Sequence, residues 1–578
     1  MMVAAVAAVF VALTASADLL GNYVAAFNAT DDERYANAYP NARAESFLRD
    51  NIPLFECPDK DIERTYYFRW WTYRKHVRAT ADGGWVITEF LPDVSWARTN
   101  NTIFCAFGHH TLEGRWLRDQ TPIESNIRFW YQGAGRNHRS FYTTWPIHAI
   151  WERAKLLGDD RLPRELYSLL RDYYEHWNRG FRYGGNWIGR GPNALAGVED
   201  WREGSELSAS GDGMRPLFNA SMWREAKILS ELAGRLGQTD DAAKYARVAD
   251  EIEGAMKTQM WSEERQFFCT IDTNGVHETV RELHGYAPWY FGMPLAGCEG
   301  AWQWVLSATE GRVGFRSPWG LTSTDMSEPK FGISYSGHAC QWNGPIWPFT
   351  ESVAIGGLAE ALRRDAAGPA TCADYVAILH EYAAAQQRTR DDGPVVPWID
   401  ENQDPLTGTW LARAIHFKQG VTNERGKDYN HSTFCDLVLS GLAGIVAREP
   451  GQIEIRPLFP ADWDYFKVEG VRYHGQDLSV VWDRTGAKYG AAGYRVTLGG
   501  EELCASALPV GFVCPHDAPV PAHGSRLELT TPLDSRRRSS AVAAPAEGLF
   551  VGTTNTVASS ALDVLERMPK LGLRCSVR

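Results

Sequence analysis

The 578-residue chain carries 59 basic and 71 acidic residues, a formal net charge of -12. That balance argues against a nucleic-acid binder, which would present a basic stripe; the one basic run, Arg536-Arg537-Arg538, stands near the end. With 44% apolar and 22% charged residues the composition is that of an ordinary folded protein, too long for one core, so a large unit and at least one smaller one are expected.

Residues 1–17, MMVAAVAAVFVALTASA, read as a secretory signal whose Ala15-Ser16-Ala17 fits the small-x-small cleavage rule, placing the mature chain in a secreted or lumenal compartment. No later stretch approaches the roughly 20 apolar residues of a membrane span. From about residue 40 to 450 the apolar period is repeatedly helical. Residues 147–158 and 164–178 form one candidate hairpin, and 219–236 and 241–259 a second, with Met222, Ala226, Leu229 and Leu232 facing Tyr245, Val248 and Ile252. Further helices are predicted at 351–364, 371–388 and 432–447. Between them run long Gly- and Trp-rich loops at 180–217, 281–300, 311–350 and 391–430, and loops of that length usually carry function. After 450 the period changes to two: Leu478 and Val480, then Tyr494, Val496 and Leu498, alternate between turns, predicting a small antiparallel β domain over 451–532. Residues 533–578, biased to Ser, Ala and Arg, read as a disordered tail. The fold class expected is mainly α: a toroid of helical hairpins at 40–450 with its site on the long-loop face, then the β domain.

Three loop segments could carry chemistry. The first, Glu199-Asp200-Trp201-Arg202-Glu203-Gly204-Ser205-Glu206, continues through Asp212 to Arg215-Pro216 and opens onto an apolar helix. A carboxyl group held against apolar surface has a raised pKa and can serve as a general acid; a plain acidic surface loop is the alternative. The second, Pro397-Trp398-Ile399-Asp400-Glu401, runs into Asp404-Pro405-Leu406-Thr407-Gly408, a tight turn that fixes the backbone just after Glu401. The third, Trp342-Asn343-Gly344-Pro345-Ile346-Trp347, sets two indoles and an amide on a rigid wall, suited to stacking a sugar ring and bonding its hydroxyls, or else to a buried corner. His431 begins another predicted helix and is a further candidate for a ligand contact. The 23 Trp, 23 Tyr and 24 Phe fit either a large core or a sugar cleft. Metal and phosphate motifs are poor: His109 and His110 are adjacent and cannot share one helix face, and there is no paired cysteine spacing, GxSxG or Walker loop. Neither a metal nor a cofactor is expected; paired carboxylates remain.

At these segments the chain resembles the six-hairpin glycosidases, specifically the mannosylglycerate hydrolase-like domain akin to glycoside hydrolase family 63 and the trehalases, over about residues 60–500. The resemblance implies an (α/α)6 helical barrel and hydrolysis of a glycosidic bond. It places Glu206 where relatives carry the general acid of a Glu-x-Gly-x-Asp-x-Ser loop, although Glu replaces Asp and one residue is missing between Glu203 and Gly204, so Asp200 and Asp212 stay in reserve. It likens Glu401 to the general base of a Glu-Asn-Tyr-x-Pro-x-Thr-Gly turn and 342–347 to a Trp-Arg-Gly-Pro-x-Trp wall. Trp145-Pro146 sits where relatives carry Trp-Ser-Trp-Asp, so their sugar cannot be transferred. The implied site is Glu206, Glu401 and Asp212 for catalysis, with Trp145, Trp201, Arg215, Trp342, Asn343, Trp347, Trp398 and His431 binding a carbohydrate. The implied mechanism is inverting. Rival chemistries on such a toroid are a sugar epimerase or isomerase working through His416 and His431, a lyase using Tyr429, His431, Arg425 and Lys427, and a carbohydrate binder that has lost catalysis.

Overall fold

The computed structural model describes residues 19–515, apart from 36, 184–185, 192, 307–312 and 450–451, together with the short strands 528–530 and 576–577. The expected signal at 1–17 lies outside the described residues, as does the expected tail at 533–578 apart from Ser576–Val577.

Helices dominate the first 440 residues, and a β region follows. The helices predicted from apolar period are present as Pro146–Leu157, Tyr167–Arg179, Pro216–Arg235 and Thr239–Ala255. The last two pack together as the expected hairpin, whereas Pro146–Leu157 packs mainly on helix Phe107–Gly114 and on Pro216–Arg235 and only marginally on Tyr167–Arg179. Pro348–Arg363 and Cys372–Ala385 form a further pair, the latter opened by a capping box in which Thr371 and Asp374 satisfy each other's backbone N–H groups. Three of these helices begin with proline, directly after Trp145, Arg215 and Trp347. Proline costs nothing at the first helical position, where its missing N–H would be unpaired, and it fixes where each loop ends. Helix Lys60–His76 escapes periodicity because it is buried on almost every side, so polar and apolar residues alternate without a stripe; Asp59 caps it by accepting from the N–H groups of Asp61 and Ile62.

One prediction needs correcting. The helix expected at 432–447 is a single wide turn, Leu437–Leu442, followed by strand Ile445–Glu449. A β-branched run after Gly444, whose positive φ ends the turn, prevails over the apolar period.

The β region holds two sheets. One is antiparallel throughout, in the order Leu54–Glu56, Tyr465–Tyr473, Gln476–Asp483, Gly493–Leu498, Glu501–Ser506. Its edge strand thus comes from near the start of the chain. Val480 lies between Val468 and Val496, and Leu478 between Val471 and Leu498, so the two-residue period predicted there faces one core. The second sheet contains Ile445–Glu449, Gln452–Ile455 and Gly511–Pro515. Among the described residues no helix is long and apolar enough to cross a membrane.

Candidate active site

The loop that precedes helix Pro216–Arg235 is built around a buried ion pair. Arg215, 1% exposed, donates from Nε to Glu203 Oε2 at 2.7 Å, from Nη1 to the Gly211 carbonyl at 2.7 Å and from Nη2 to Ser205 Oγ at 3.1 Å. The other Glu203 oxygen accepts from the N–H of Phe218 at 3.1 Å, in the first turn of the helix. Burial pushes the Glu203 carboxyl up, but Arg215 and then His284 outweigh it and bring the pKa down to about 2. Gly204 follows with φ +80°, and a Cβ there would meet Cys105 Sγ at 2.7 Å. This sharp turn carries Glu206 clear of the frame and into an open cavity.

Glu206 is half-buried, and its Oε2 accepts from the Cys340 thiol at 2.8 Å. Burial raises its pKa, opposed in part by that thiol. Asp212 does not reach the cavity: it accepts from the Asp200 N–H at 3.0 Å and from Asn186 Nδ2 at 3.1 Å, tying the loop to strand Asn186–Arg190. Asp200 in turn accepts from Ser208. Both reserve carboxylates are fasteners of the loop.

The Glu401 turn closes as its residues dictate. Asp404 Oδ1 accepts from the N–H groups of Leu406 and Thr407, and Gly408, at φ +71°, leaves no room for a Cβ against the Trp319 ring 2.5 Å away. Ile346 and Gln403 exchange backbone hydrogen bonds of 2.9 Å each, locking the Trp342–Trp347 wall onto the turn. Asp400 accepts from the Glu401 N–H at 2.8 Å; burial, then the charge of Glu401, lifts Asp400 to about 7. Glu401 Oε1 is ion-paired with Arg425, whose guanidinium lies over Trp96 at 4.9 Å.

Glu206 and Glu401 line the same cavity, of about 550 Å³, together with Trp347 and His431. Trp342 stands behind Trp347, stacked at 4.2 Å and 10°, and orients it. The other binding candidates sit elsewhere. Trp145 is buried between His109, Phe291 and Phe349. Trp201 packs on Phe141 and Tyr142 beside the cavity, under the Arg202 guanidinium. Asn343 serves through its backbone carbonyl, which accepts from Gly332. Trp398 faces a different hollow, with the Arg388 guanidinium 4.2 Å and the Arg413 guanidinium 5.8 Å from its ring. Arg215 lies beneath the loop and outside the cavity lining, correcting the expectation that it binds ligand.

Sequence reasoning missed Glu89. It lines the cavity at 4% exposure, with Oε1 accepting from Tyr429 Oη at 2.6 Å and Oε2 without a hydrogen-bond partner. Burial raises its pKa to about 8, with Tyr429 opposing and the charges of Glu401 and Glu206 adding, so it faces the cavity as a neutral acid at pH 7. His431 Nδ1 meets Tyr429 Oη at 2.6 Å, and burial holds its pKa well below the ordinary histidine value. No motif marks Glu89: it ends the short run Trp85-Val86-Ile87-Thr88, and its neighbours Tyr429 and Asn430 are some 340 residues away. Among the described residues the one grouping with metal-ligand spacing is Asp59, Asp61 and His380, outside this cavity.

Residues 99–432, more than half of the chain, match the family described as the mannosylglycerate hydrolase MGH1-like glycoside hydrolase domain. The chain belongs to that family. That family is one of glycoside hydrolase domains. Residues 448–503 of the chain match the C-terminal domain of glycosyl hydrolase family 65. Among solved structures a protein titled sialidase is 34% identical over 86% of this chain and 44% of its own, with a TM-score of 0.77, so the chain spans less than half the length of that relative. A family 78 rhamnosidase of a Bacillus species is 14% identical over 75% of this chain and 40% of its own, with a TM-score of 0.48. The family 63 mannosylglycerate hydrolase of Thermus thermophilus is 16% identical over 69% of this chain and 98% of its own, with a TM-score of 0.37. Superpositions as loose as the last two carry no argument about the site.

Proposed function

We propose that this protein is a glycosidase that cleaves an O-glycosidic bond with inversion, on an (α/α)6 helical barrel, using Glu206 as general acid and Glu401 as general base. The observation that carries this reading is the contrast between the two carboxyls in one cavity. Glu206, half-buried and with no cation paired to it, is biased toward its protonated form; Glu401 is ion-paired with Arg425. Protonated Glu206 gives its proton to the leaving oxygen, while Glu401 takes one from a water attacking the anomeric carbon from the opposite face. That geometry needs carboxyls roughly 6.5–9.5 Å apart, with room for the water. Trp347, backed by Trp342, forms a buried part of the cavity wall, and the neutral Glu89 donates to a hydroxyl. Action in a secreted or lumenal compartment rests on residues 1–17.

Glu206→Gln tests the acid. With a glycoside whose leaving group needs protonation, kcat should fall about 10²–10⁴-fold; with an activated leaving group such as fluoride, which departs without a proton, the loss should be far smaller. Equal losses on both substrates would remove Glu206 from that role.

A further inference from the structure

A second hollow, of about 330 Å³, lies at the other end of the helices from the active cavity. Trp347, which lines the active cavity, caps the start of helix Pro348–Arg363, and Glu360 and Arg363 line the second hollow from the end of that helix. At 1.5 Å per residue the two places are about 20 Å apart. The far wall is Arg448 on strand Ile445–Glu449, so the hollow sits between the helices and the β region.

Its charges do not balance. Arg115, Lys155, Arg224, Arg363, Arg364 and Arg448 line it, against Glu152, Glu360 and Asp436. Each carboxylate is over-subscribed. Glu152 is shared by Lys155 at 2.8 Å and Arg224 at 3.2 Å. Glu360 is shared by Arg363 at 2.7 Å, Arg364 at 2.6 Å and Arg448 at 3.0 Å. Asp436 serves Arg115 at 2.7 Å and the indole N–H of Trp116 at 2.8 Å. Glu454, behind the wall, also takes Arg448 but is itself shared with Arg456. Half-buried cations in excess of their counter-ions are costly, and an anion offsets that cost.

Three polar groups on the same wall lack hydrogen-bond partners. They are His148 Nδ1, on a buried residue and 3.7 Å from Glu152 Oε1, Arg224 Nε, and the hydroxyl of Tyr290. The positive surroundings also register on Lys155: burial depresses its pKa, and Arg224 and Arg448 push the same way against Glu152. Forked guanidinium groups converging on one space match an oxyanion better than a spherical halide.

We propose that this hollow is an anion site that binds a compact oxyanion of the phosphate or sulfate class and pins the β region to the helices. Binding there acts on stability and leaves the chemistry of Glu206 and Glu401 untouched.

The test is calorimetric titration of the full chain with inorganic phosphate, and separately with inorganic sulfate, against chloride at matched ionic strength. The expected result is a saturable one-site isotherm with one or both oxyanions, the preferred one identifying the source, and a rise in Tm over the same concentrations. Arg224→Gln and Arg364→Gln, at side chains 27% and 41% exposed and so tolerant of change, should each weaken binding about tenfold with glycosidase activity unchanged. Oxyanions indistinguishable from chloride, or variants that bind as tightly as the parent, would overturn the proposal.

Discussion

Glu89→Gln isolates a proton that the fold holds against its preference. The carboxyl titrates near 4.5 when solvated and at about 8 in the folded cavity, so the folded state keeps a proton that the unfolded chain releases. A raised carboxyl pKa makes the folded state bind more protons than the unfolded state, and stability therefore falls as pH rises through that window. For one group moving from 4.5 to about 8, the loss between pH 5 and pH 8 integrates to roughly 3–4 kcal/mol. Glutamine has the same shape and no titration. Whatever its amide costs opposite Tyr429, that cost is the same at every pH and cancels from the slope. The assay is thermal unfolding of both proteins at pH 5, 6, 7 and 8. The variant should gain on the parent most steeply between about pH 5.5 and 7, and more slowly toward pH 8 as the folded carboxyl itself begins to ionise. Two parallel stability curves would show that Glu89 is ionised in the folded state and would refute its role as a neutral donor to the sugar.

Glu401→Gln should lower kcat/KM by a hundredfold or more with the circular dichroism spectrum unchanged; near-parental activity would exclude it as the base. Glu203→Ala leaves Arg215, which is 1% exposed, with only the longer 3.6 Å pairing to Glu282, so it should cost about 3 kcal/mol and lower Tm sharply. If stability is unchanged there, the buried pair is not the frame of the acid loop.

The parts of the site legible in the sequence are those whose geometry is local. The Asp404–Gly408 turn closes on its own side chains, so it can be recognised without the rest of the chain, and Glu401 with it. Trp347 is legible for a similar reason: Gly344-Pro345 and Pro348 fix its neighbours. Glu89 is not, because its significance comes from Tyr429 and from burial, which only the folded chain supplies. Arg215 misleads because an Arg before Pro at a loop end looks the same whether it faces a ligand or holds a buried glutamate. Trp398 follows strand Val395–Pro397, and that approach turns its ring toward Arg388 and away from the cavity. The helices are readable where one face is solvated; helix Lys60–His76, buried all round, carries no stripe to read.

The pairing of Glu206 with Glu401 is tested most directly by the anomer first formed from a substrate of known configuration, followed by proton NMR in the first minutes of hydrolysis before mutarotation. The account predicts that the initial product has the configuration opposite to the bond cleaved. An initial product of retained configuration would place the carboxyls about 5–5.5 Å apart, with one acting as a nucleophile, and would contradict it.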